Sequence, residues 1–382
     1  MKKLVVGLAA LALFTTACGA KGNADDSDTI KIGGNFELTG PVSAYGSAES
    51  NGAKLAIKEI NEAGGVLDKQ LKYVELDNKS DTTESASIAT KLATQEKVSV
   101  IVGPATSGTT KSATPSVTRA KVAMITPSGT DDSLTLDDQG KVQPYVFRTG
   151  FQDSFQGVAL ADFATNHLDS KKAVIIGDSS SDYAIGLTKA FKDSYKGEIV
   201  ADENFTADDT DFNAILTRIK GKDFDVIYMP AYYEQAGLII KQAREMGIEQ
   251  PILGADGFSN QALLDLAGKE NVSDVYYSAH FSLNNEEKNI QDFIKAYKEE
   301  YKTEPDAFSA LAYDSVYLAK QGIEEADSND PEEVAKALEK ITDFQGVTGN
   351  FSIDENHNPV KSVFVIELQK GEEAGGTEVA PK

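Results

Sequence analysis

Apolar runs of strand length alternate along the chain with segments whose apolar residues recur at helical spacing. Eight of these runs predict strands, and in chain order they are TIKIGG, LKYVELD, VSVIVG, VAMIT, KAVIIGD, DVIYMP, QPILGAD and DVYYSA. An amphipathic helix over 47–63 is predicted from the spacing of Ala53, Ala56, Ile57 and Ile60, and the same spacing recurs at 212–219 and 236–243. Strands that alternate with helices predict an α/β fold with parallel sheets.

Residues with known positional preferences mark the ends of two predicted helices. Gly64 and Gly65 follow the helix over 47–63 and end it. Asp330 suits an N-cap, Pro331 suits the first helical position, and Glu333 would complete a capping box. These signals predict a further helix over 330–341.

The chain length of 382 residues and the number of strands exceed the needs of one sheet, so we expect two doubly wound lobes with a ligand cleft between them. Four predicted strands end in small, polar loops, which are VGPATSG, ITPSGT, IGDSSSDY and GADGFSN. Open parallel sheets bind ligands outside the carboxyl ends of their strands. Two of the loops come early in the chain and two come later, so one pair on each lobe would line a common cleft.

The loop GPATSGTT at 103–110 nearly matches the phosphate-binding pattern G-x-x-x-x-G-K-[ST], but Thr109 stands where that pattern has lysine. Without the lysine, a polyphosphate would be poorly neutralised. The N–H groups at the start of the following helix carry partial positive charge, and Ser107 adds a hydroxyl, so the loop would serve a single carboxylate well. The alternative is that Ser107 only caps this helix.

The other polar loops supply complementary groups. Ser128 and Thr130 in ITPSGT offer hydroxyls and N–H groups, and Asp256 in GADGF offers a carboxylate. Tyr183 and Tyr232 follow strands of the later half, and a tyrosine combines an apolar face with a polar tip. Together these groups complement a zwitterion with an apolar side chain, which is the description of a free amino acid.

Motifs of catalysis and of metal binding are missing from the sequence. His167, His280 and His357 lie far apart without H-x-x-x-H spacing, and we expect them to be surface or core residues. There is no G-x-S-x-G elbow and no G-x-G-x-x-G after the first strand. We therefore expect no enzyme, no metal and no cofactor. The formal net charge of −23 would repel a phosphate backbone, which argues against nucleic acid as a partner.

The first 18 residues, MKKLVVGLAALALFTTAC, are typical of a secretory signal. The apolar run at 4–14 is too short to span a bilayer as a helix. The ending at Cys18, the only cysteine, resembles a bacterial lipobox, although Thr15 stands where leucine is usual. We predict a signal peptide over 1–17 and a lipidated Cys18 that anchors the protein to the cell membrane outside the cytoplasm. The alternative is an ordinary signal peptide with an incidental cysteine.

Two segments have the composition of unstructured chain. Residues 18–28 are small, polar and acidic after the cysteine, and we predict a flexible tether. Residues 371–382, GEEAGGTEVAPK, are predicted to be disordered.

Seven stretches stand in the order KIGGNFELTGPVSAYG, NGAKLAIKEINEAGGV, VIVGPATSGTT, ITPSGT, DSSSDYAIG, YYEQAGLIIKQAREMGI and ILGADGF. Together they resemble the branched-chain amino-acid-binding proteins of bacterial ABC importers, which have the type I periplasmic-binding-protein fold. The resemblance covers roughly residues 29–370. It implies capture of a free amino acid, with Leu, Ile or Val favoured, and delivery to a membrane permease. Another small solute, such as an amide, a urea or a different amino acid, and a sensory ligand-binding module are the alternatives.

The resemblance also implies roles for the polar candidate residues. Ser107 would hold the ligand carboxylate, and Ser128 would supply backbone contacts. Thr130 would bind both the carboxylate and the ammonium group. Asp256 stands at an acidic position, often glutamate in relatives, that pairs with the ammonium group.

Aromatic residues would form the walls around the ligand. By resemblance, Tyr45 flanks the ligand from the first lobe, and Tyr183 and Tyr232 close over it from the second. Phe281 either lies near the ligand or belongs to the core.

In this family's fold the chain crosses between the lobes three times. We therefore expect one lobe at 29–147 plus 279–355, and the other at 148–278 plus 356–370. The protein is expected to act as a monomer whose lobes close over the ligand by a hinge motion.

Overall fold

The computed structural model describes residues 29–137 and 139–379. The predicted signal peptide over 1–17, the lipidated Cys18 and the tether to residue 28 lie outside the described residues. Within the described ranges, no helix is both long and apolar enough to cross a membrane.

The described strands form two large sheets and a separate hairpin. In chain order they are β1 (Thr29–Phe36), β2 (Gln70–Asp77), β3 (Val100–Val102), β4 (Ala123–Thr126), β5 (Val146–Arg148), β6 (Lys172–Asp178), β7 (Glu198–Phe205), β8 (Val226–Met229), β9 (Ile252–Gly254), β10 (Val275–Ala279), β11 (Phe344–Gly346), β12 (Gly349–Phe351), β13 (Val363–Gln369) and β14 (Glu372–Val379). All eight strands predicted from apolar runs are present, and the prediction is confirmed for them.

Helices connect most of the parallel strands. They are α1 (Ser43–Glu62), α2 (Thr82–Lys91), α3 (Ser107–Ala120), α4 (Asp153–Asn166), α5 (Asp182–Ser194), α6 (Asn213–Lys220), α7 (Tyr233–Glu245), α8 (Gln261–Ala267), α9 (Lys288–Tyr301), α10 (Ala307–Ala326) and α11 (Pro331–Leu338). Asp330 caps α11 as predicted, since its carboxylate accepts from the N–H groups of Glu332 and Glu333. The predicted capping box is wrong, because the Glu333 side chain pairs with Lys336 and the Asp330 N–H donates to Ser328.

The first sheet has the order β2-β1-β3-β4-β5, and every pair in it is parallel. Its central strands are buried on both faces. Val100 and Val102 of β3 pack towards α1, α10 and α11, whereas Ile101 between them packs towards α2 and α3. This is why such strands read as continuous apolar runs in the sequence.

Helix α10 packs directly on α1, although about 245 residues separate them in the chain. Gly52 of α1 allows this approach, because a Cβ at that position would lie 1.9 Å from the Ser309 carbonyl oxygen. The N-terminus of α10 is thereby fixed against α1.

The second sheet has the order β14-β13-β10-β9-β8-β6-β7. Strands β6 to β10 are parallel, and β13 and β14 add an antiparallel edge. Val174 and Ile176 of β6 pack towards α6, α7 and α8. Ala173 and Ile175 point to the other face of the sheet and pack towards α4 and α5. Helices thus cover both faces of each sheet.

The prediction of disorder over 371–382 is wrong for most of that segment. Residues Glu372–Val379 form β14, which pairs with β13 in an antiparallel register. Its residues alternate between exposed and half-buried, so the strand needs few apolar side chains. The backbone hydrogen bonds to β13 hold it in place, and composition carries no trace of those bonds.

The chain passes between the two sheets three times: after β5, after β10, and between β12 and β13. The expected boundary at 147/148 cuts off the last residue of β5, and that at 278/279 cuts off the last residue of β10. The boundary at 355/356 falls within the third passage. We call the part containing the first sheet the first lobe and the part containing the second sheet the second lobe.

Candidate ligand-binding site

Loops from both lobes converge on one small cavity, which we call the cleft cavity. Six of the seven predicted site residues line it, and they are Tyr45, Ser107, Ser128, Tyr183, Tyr232 and Asp256. The seventh, Thr130, is fully buried beside it and its N–H donates to the Ser107 hydroxyl at 3.3 Å. The carboxyl ends of β3 and β4 in one lobe, and of β6, β8 and β9 in the other, bring these loops together.

Ser107 is the first residue of α3, and Thr106 occupies the N-cap position. The Ser107 hydroxyl oxygen does not cap its own helix but accepts from the N–H groups of Thr130, at 3.3 Å, and Asp131, at 3.2 Å. It therefore joins the loop after β3 to the loop after β4. The first N–H groups of α3 have no acceptor within the helix, which leaves a positive end at the cavity.

Glu37, which follows β1, fixes the loop after β3 by hydrogen bonds. Its buried carboxylate accepts from the N–H groups of Ala105 and Thr106 at 3.1 Å each, and from the Thr109 hydroxyl at 2.5 Å. Thr109 is the residue that replaces the phosphate-loop lysine. A buried carboxylate in that place would repel a polyphosphate.

Arg148 holds the loop after β4. This fully buried guanidinium donates to the carbonyl oxygens of Gly129, at 3.2 Å, and Asp131, at 2.9 Å. Thr130 lies between these two residues. Its hydroxyl oxygen is buried and has no hydrogen-bond partner among the described residues. Burial raises the pKa of the Asp153 carboxyl well above its usual range.

Glu49 approaches the site from α1, one helical turn after Tyr45. Its carboxyl is hydrogen-bonded to the Ser128 hydroxyl, which also donates to the Ala105 carbonyl at 2.9 Å. Burial raises the pKa of the Glu49 carboxyl well above its usual range, which favours the protonated form. Glu49 thus fixes Ser128 without placing a second full negative charge beside Asp256.

Asp256 opens the short turn after β9 and is only 3% exposed. One carboxylate oxygen accepts from the Tyr183 hydroxyl at 2.8 Å, and the other lies 3.3 Å from His280 Nε2. No lysine or arginine of the described ranges forms an ion pair with it. The carboxylate is therefore held by two polar groups and faces the cavity without a cationic partner.

The aromatic walls come from both lobes. Tyr183 and Tyr232 stack with ring centroids 5.0 Å apart, and Tyr45 meets Tyr232 edge-on at 5.7 Å. Phe308 of α10 stacks on Tyr45 at 4.2 Å and also lines the cavity. Burial raises the pKa of Tyr45, Tyr183 and Tyr232, so all three phenols are neutral donors or acceptors near pH 7.

The two lobes are in direct contact across the cavity, so this is the closed form. The Tyr45 hydroxyl donates to the Gly257 carbonyl at 2.6 Å and accepts from the Tyr233 N–H at 2.9 Å. A further contact joins the Asn260 amide, which donates at 2.7 Å, to Asp306. Burial raises the pKa of Asp306 to about 6.

Phe281 belongs to the core and does not line the cleft cavity. It packs with Ile290 and Phe293 of α9, and its ring centroid lies 5.9 Å from that of Phe293.

Sequence reasoning missed four residues that the fold brings to this site: Glu37, Glu49, His280 and Phe308. Glu49 had one usable signal, since an acidic residue four positions after Tyr45 shares the buried face of a helix. His280 was expected to be a surface or core residue, and it is indeed 2% exposed, but it also contacts Asp256. Over the described ranges, no group of three or more His, Cys, Asp or Glu side chains is placed to hold a metal ion.

The sequence profile of the family described as periplasmic binding protein matches residues 29–373. The chain belongs to this family. Members of this family share the two-lobed α/β fold, so the predicted fold class is confirmed. They bind solutes and are not enzymes, which confirms the prediction that the chain has no enzymatic role.

Relatives with known names agree with this assignment. The chain is 30% identical over 358 residues to the leucine-, isoleucine-, valine-, threonine- and alanine-binding protein of Pseudomonas aeruginosa, covering 93% of this chain and 94% of that protein. The crystal structure of the substrate-binding protein LivJ from Streptococcus pneumoniae in complex with isoleucine has a TM-score of 0.89 at 47% identity, with 92% and 100% coverage. The leucine-binding protein LivK from Thermotoga maritima has a TM-score of 0.85 at 32% identity, with 92% and 99% coverage.

Replacing Tyr45 with Phe should weaken ligand binding by opening the cleft. The ring would keep its contacts with Phe308 and Tyr232, but the Gly257 carbonyl and the Tyr233 N–H would lose their shared partner. The expected cost to the closed form is about 1–3 kcal/mol, measured as a weaker Kd and as a larger radius of gyration in X-ray scattering at subsaturating ligand.

Tyr195→Phe is the matched control for this prediction. The Tyr195 hydroxyl is also buried and hydrogen-bonded, to Ser170 at 2.6 Å, but both residues lie in the second lobe. This variant should lose stability without a change in Kd. Equal Kd values for Tyr45→Phe and the wild type would show that the Tyr45 hydroxyl does not hold the lobes together.

Proposed function

We propose that this protein captures a free branched-chain amino acid outside the cytoplasm by closing its two lobes around it, and delivers it to an ABC permease. One observation carries the proposal: the cleft cavity places an unneutralised carboxylate, Asp256, together with the positive start of α3 and with aromatic walls. These three features complement an ammonium, a carboxylate and an apolar side chain. The names of the relatives support the same ligand class.

Asp256 is the group that would bind the ammonium. Its buried carboxylate has no cationic partner within the described residues, and a buried charge is costly until it is paired. The ligand would supply the missing positive charge. The binding energy at this end would come from a charge-assisted contact in a site of low dielectric constant.

The loops after β3 and β4 would bind the ligand carboxylate. Ser107, Ser128 and Thr130 stand at these loops, and the first N–H groups of α3 lack acceptors in the helix. Glu37 and Arg148 fix the two loops before the ligand arrives. Such preorganisation lowers the entropic cost of binding.

The apolar side chain would pack among Tyr45, Tyr183, Tyr232 and Phe308. The first lobe supplies Tyr45 and the loops for the carboxylate, and the second lobe closes with Tyr183, Tyr232 and Asp256.

Calorimetric titration with each of the twenty amino acids tests this proposal. The protein without residues 1–18 should first be unfolded and refolded, to remove ligand that it carries from the expression host. We expect tight binding of Leu, Ile or Val, with Kd in the micromolar range or below, and weak or no binding of charged amino acids. Absence of binding to every amino acid would assign the cavity to another small solute.

Asp256→Asn should abolish most of the affinity. The amide keeps the size of the side chain and an acceptor for the Tyr183 hydroxyl, but it removes the charge that pairs with the ligand ammonium. Loss of one partner of a buried ion pair costs about 3–5 kcal/mol, or at least a hundredfold in Kd. Asp193→Asn is the matched control, because Asp193 is exposed and pairs only with Lys189 on the surface. A Kd within threefold of the wild type for Asp256→Asn would remove Asp256 from the ammonium site.

We further propose that residues 1–17 are cleaved and that Cys18 then carries the lipid that holds the monomeric protein at the membrane, with 18–28 as the tether. This rests on the sequence of the first 28 residues. In the native host, the full-length protein should be found in the membrane fraction with the intact mass of a lipidated chain. Cys18→Ala should release it from that fraction. A membrane-bound Cys18→Ala variant, or a wild-type mass without lipid, would contradict the anchor.

A further inference from the structure

His280 lies where two of the three passages between the lobes meet. It directly follows Ala279, the last residue of β10, at the start of the second passage. Its ring stacks face to face on Phe151 of the first passage, with centroids 3.6 Å apart and planes 22° apart. Phe151 in turn packs on Val363, which follows the third passage. The imidazole is thus part of the hinge itself.

The same ring reaches the ligand site. His280 Nε2 lies 3.3 Å from one oxygen of Asp256, and the Tyr183 hydroxyl donates to the other oxygen. A carboxylate can only accept, so Nε2 carries the proton in this contact. Nδ1 is buried and has no hydrogen-bond partner within the described part of the chain, which fits an imidazole that holds one proton only.

We propose that His280 is a positioning residue, which orients the Asp256 carboxylate from the hinge with a neutral donor and so leaves the full negative charge of Asp256 for the ligand. The inference rests on the proposed function, in which Asp256 pairs with the ligand ammonium. Beyond the ammonium contact, the inference assigns a role to His280, requires its imidazole to be neutral, and connects Asp256 to the hinge. A cationic residue in the same place would orient Asp256 equally well but would compete with the ligand for its charge.

The surroundings of the ring favour its neutral form. Burial lowers the pKa of His280 to about 4, and the protonated form of Lys361 on the third passage acts in the same direction. Burial lowers the pKa of Lys361 itself to about 7. Only Asp256 acts against them, and its effect is smaller than that of burial. Because the folded-state pKa lies below the ordinary value, this neutral His280 contributes stability above about pH 6.5, and that contribution is lost as the pH falls towards 4.

Two variants of His280 separate the donor from the stacked ring. His280→Phe keeps an aromatic ring on Phe151 but removes the donor to Asp256. His280→Gln keeps a neutral donor but removes the stacked ring. If His280 positions Asp256, His280→Phe should weaken the Kd for the best-bound amino acid at least tenfold, whereas the Kd of His280→Gln should lie within about threefold of the wild type. If the ring only fills space, the order of the two variants is reversed, and the proposal is overturned.

His357→Phe is the matched control. His357 is also buried and stacked on a phenylalanine, Phe147, with centroids 4.2 Å apart, and its Nδ1 contacts a backbone carbonyl. It makes no contact with Asp256 or the cleft cavity. His357→Phe should lower the melting temperature and leave Kd unchanged. A Kd loss in His357→Phe equal to that in His280→Phe would assign the effect to general destabilisation.

The pH profile of Kd tests the protonation state. Between pH 7.5 and 5.5, the Kd of the wild type should change only as much as the Kd of His280→Gln does. A change shared by both proteins would come from other groups that titrate in this range, such as Lys361 and Asp306. A tenfold loss with a midpoint near pH 6.5 in the wild type, absent from His280→Gln, would show that His280 becomes charged in the site and would overturn the neutral donor.

Binding measurements on the wild type and on Asp256→Asn distinguish failure of the proposed function from failure of the inference about His280. If the wild type binds no amino acid, or Asp256→Asn binds as well as the wild type, the proposed function of Asp256 fails. If Asp256→Asn loses binding while His280→Phe keeps it, only the inference about His280 fails.

Discussion

A buried carboxylate without a cation is the feature on which the site depends. Asp256 is enclosed by the Tyr183 hydroxyl, the His280 imidazole and the loop that follows β9, and none of these neutralises it. Isolated ions are costly in a protein interior, and the cost is lowered here by neutral donors alone. In the proposed function, the ligand ammonium would supply the missing charge, which would couple ligand charge to closure. The Tyr45 hydroxyl, which contacts the second lobe directly, adds a second link between the lobes.

At the opposite end of the cavity, the loop after β3 resembles a phosphate-binding loop but differs from it in charge. The loop after β3 has the glycines and the helix start of a phosphate-binding loop, but Thr109 replaces the lysine and donates to Glu37. The buried Glu37 carboxylate accepts hydrogen bonds from two of the loop's N–H groups. The loop is thereby less able to bind a highly charged anion, in agreement with the proposed single carboxylate. Glu37 shapes the loop without touching the cavity.

The sequence predicted the framework well, because a strand buried on both faces leaves a continuous apolar run. It predicted β3 from VSVIVG, and it predicted the loops at the strand ends from their small, polar residues. It could not predict β14, since an edge strand is held by backbone bonds to β13 and its side chains face solvent on one side. Nor could it predict the contact between His280 and Asp256, because the two are 24 residues apart in sequence and only the pairing of β9 with β10 brings them together. Contacts within one loop leave a local pattern, whereas contacts between neighbouring strands do not.

The packing of α10 on α1 also constrains how the chain can be made and exported. The first sheet is complete at β5, yet the helix that covers its face near Gly52 comes more than 150 residues later. Because the chain is synthesised from its N-terminus, the apolar face of α1 and β1 stays exposed while β6 to β10 of the second sheet are being made. Contacts so distant in sequence are slow to form, and the exposed face is open to aggregation in the meantime. For a protein of this topology, the stretch of time before α10 arrives is when a chaperone outside the cytoplasm would have the most effect.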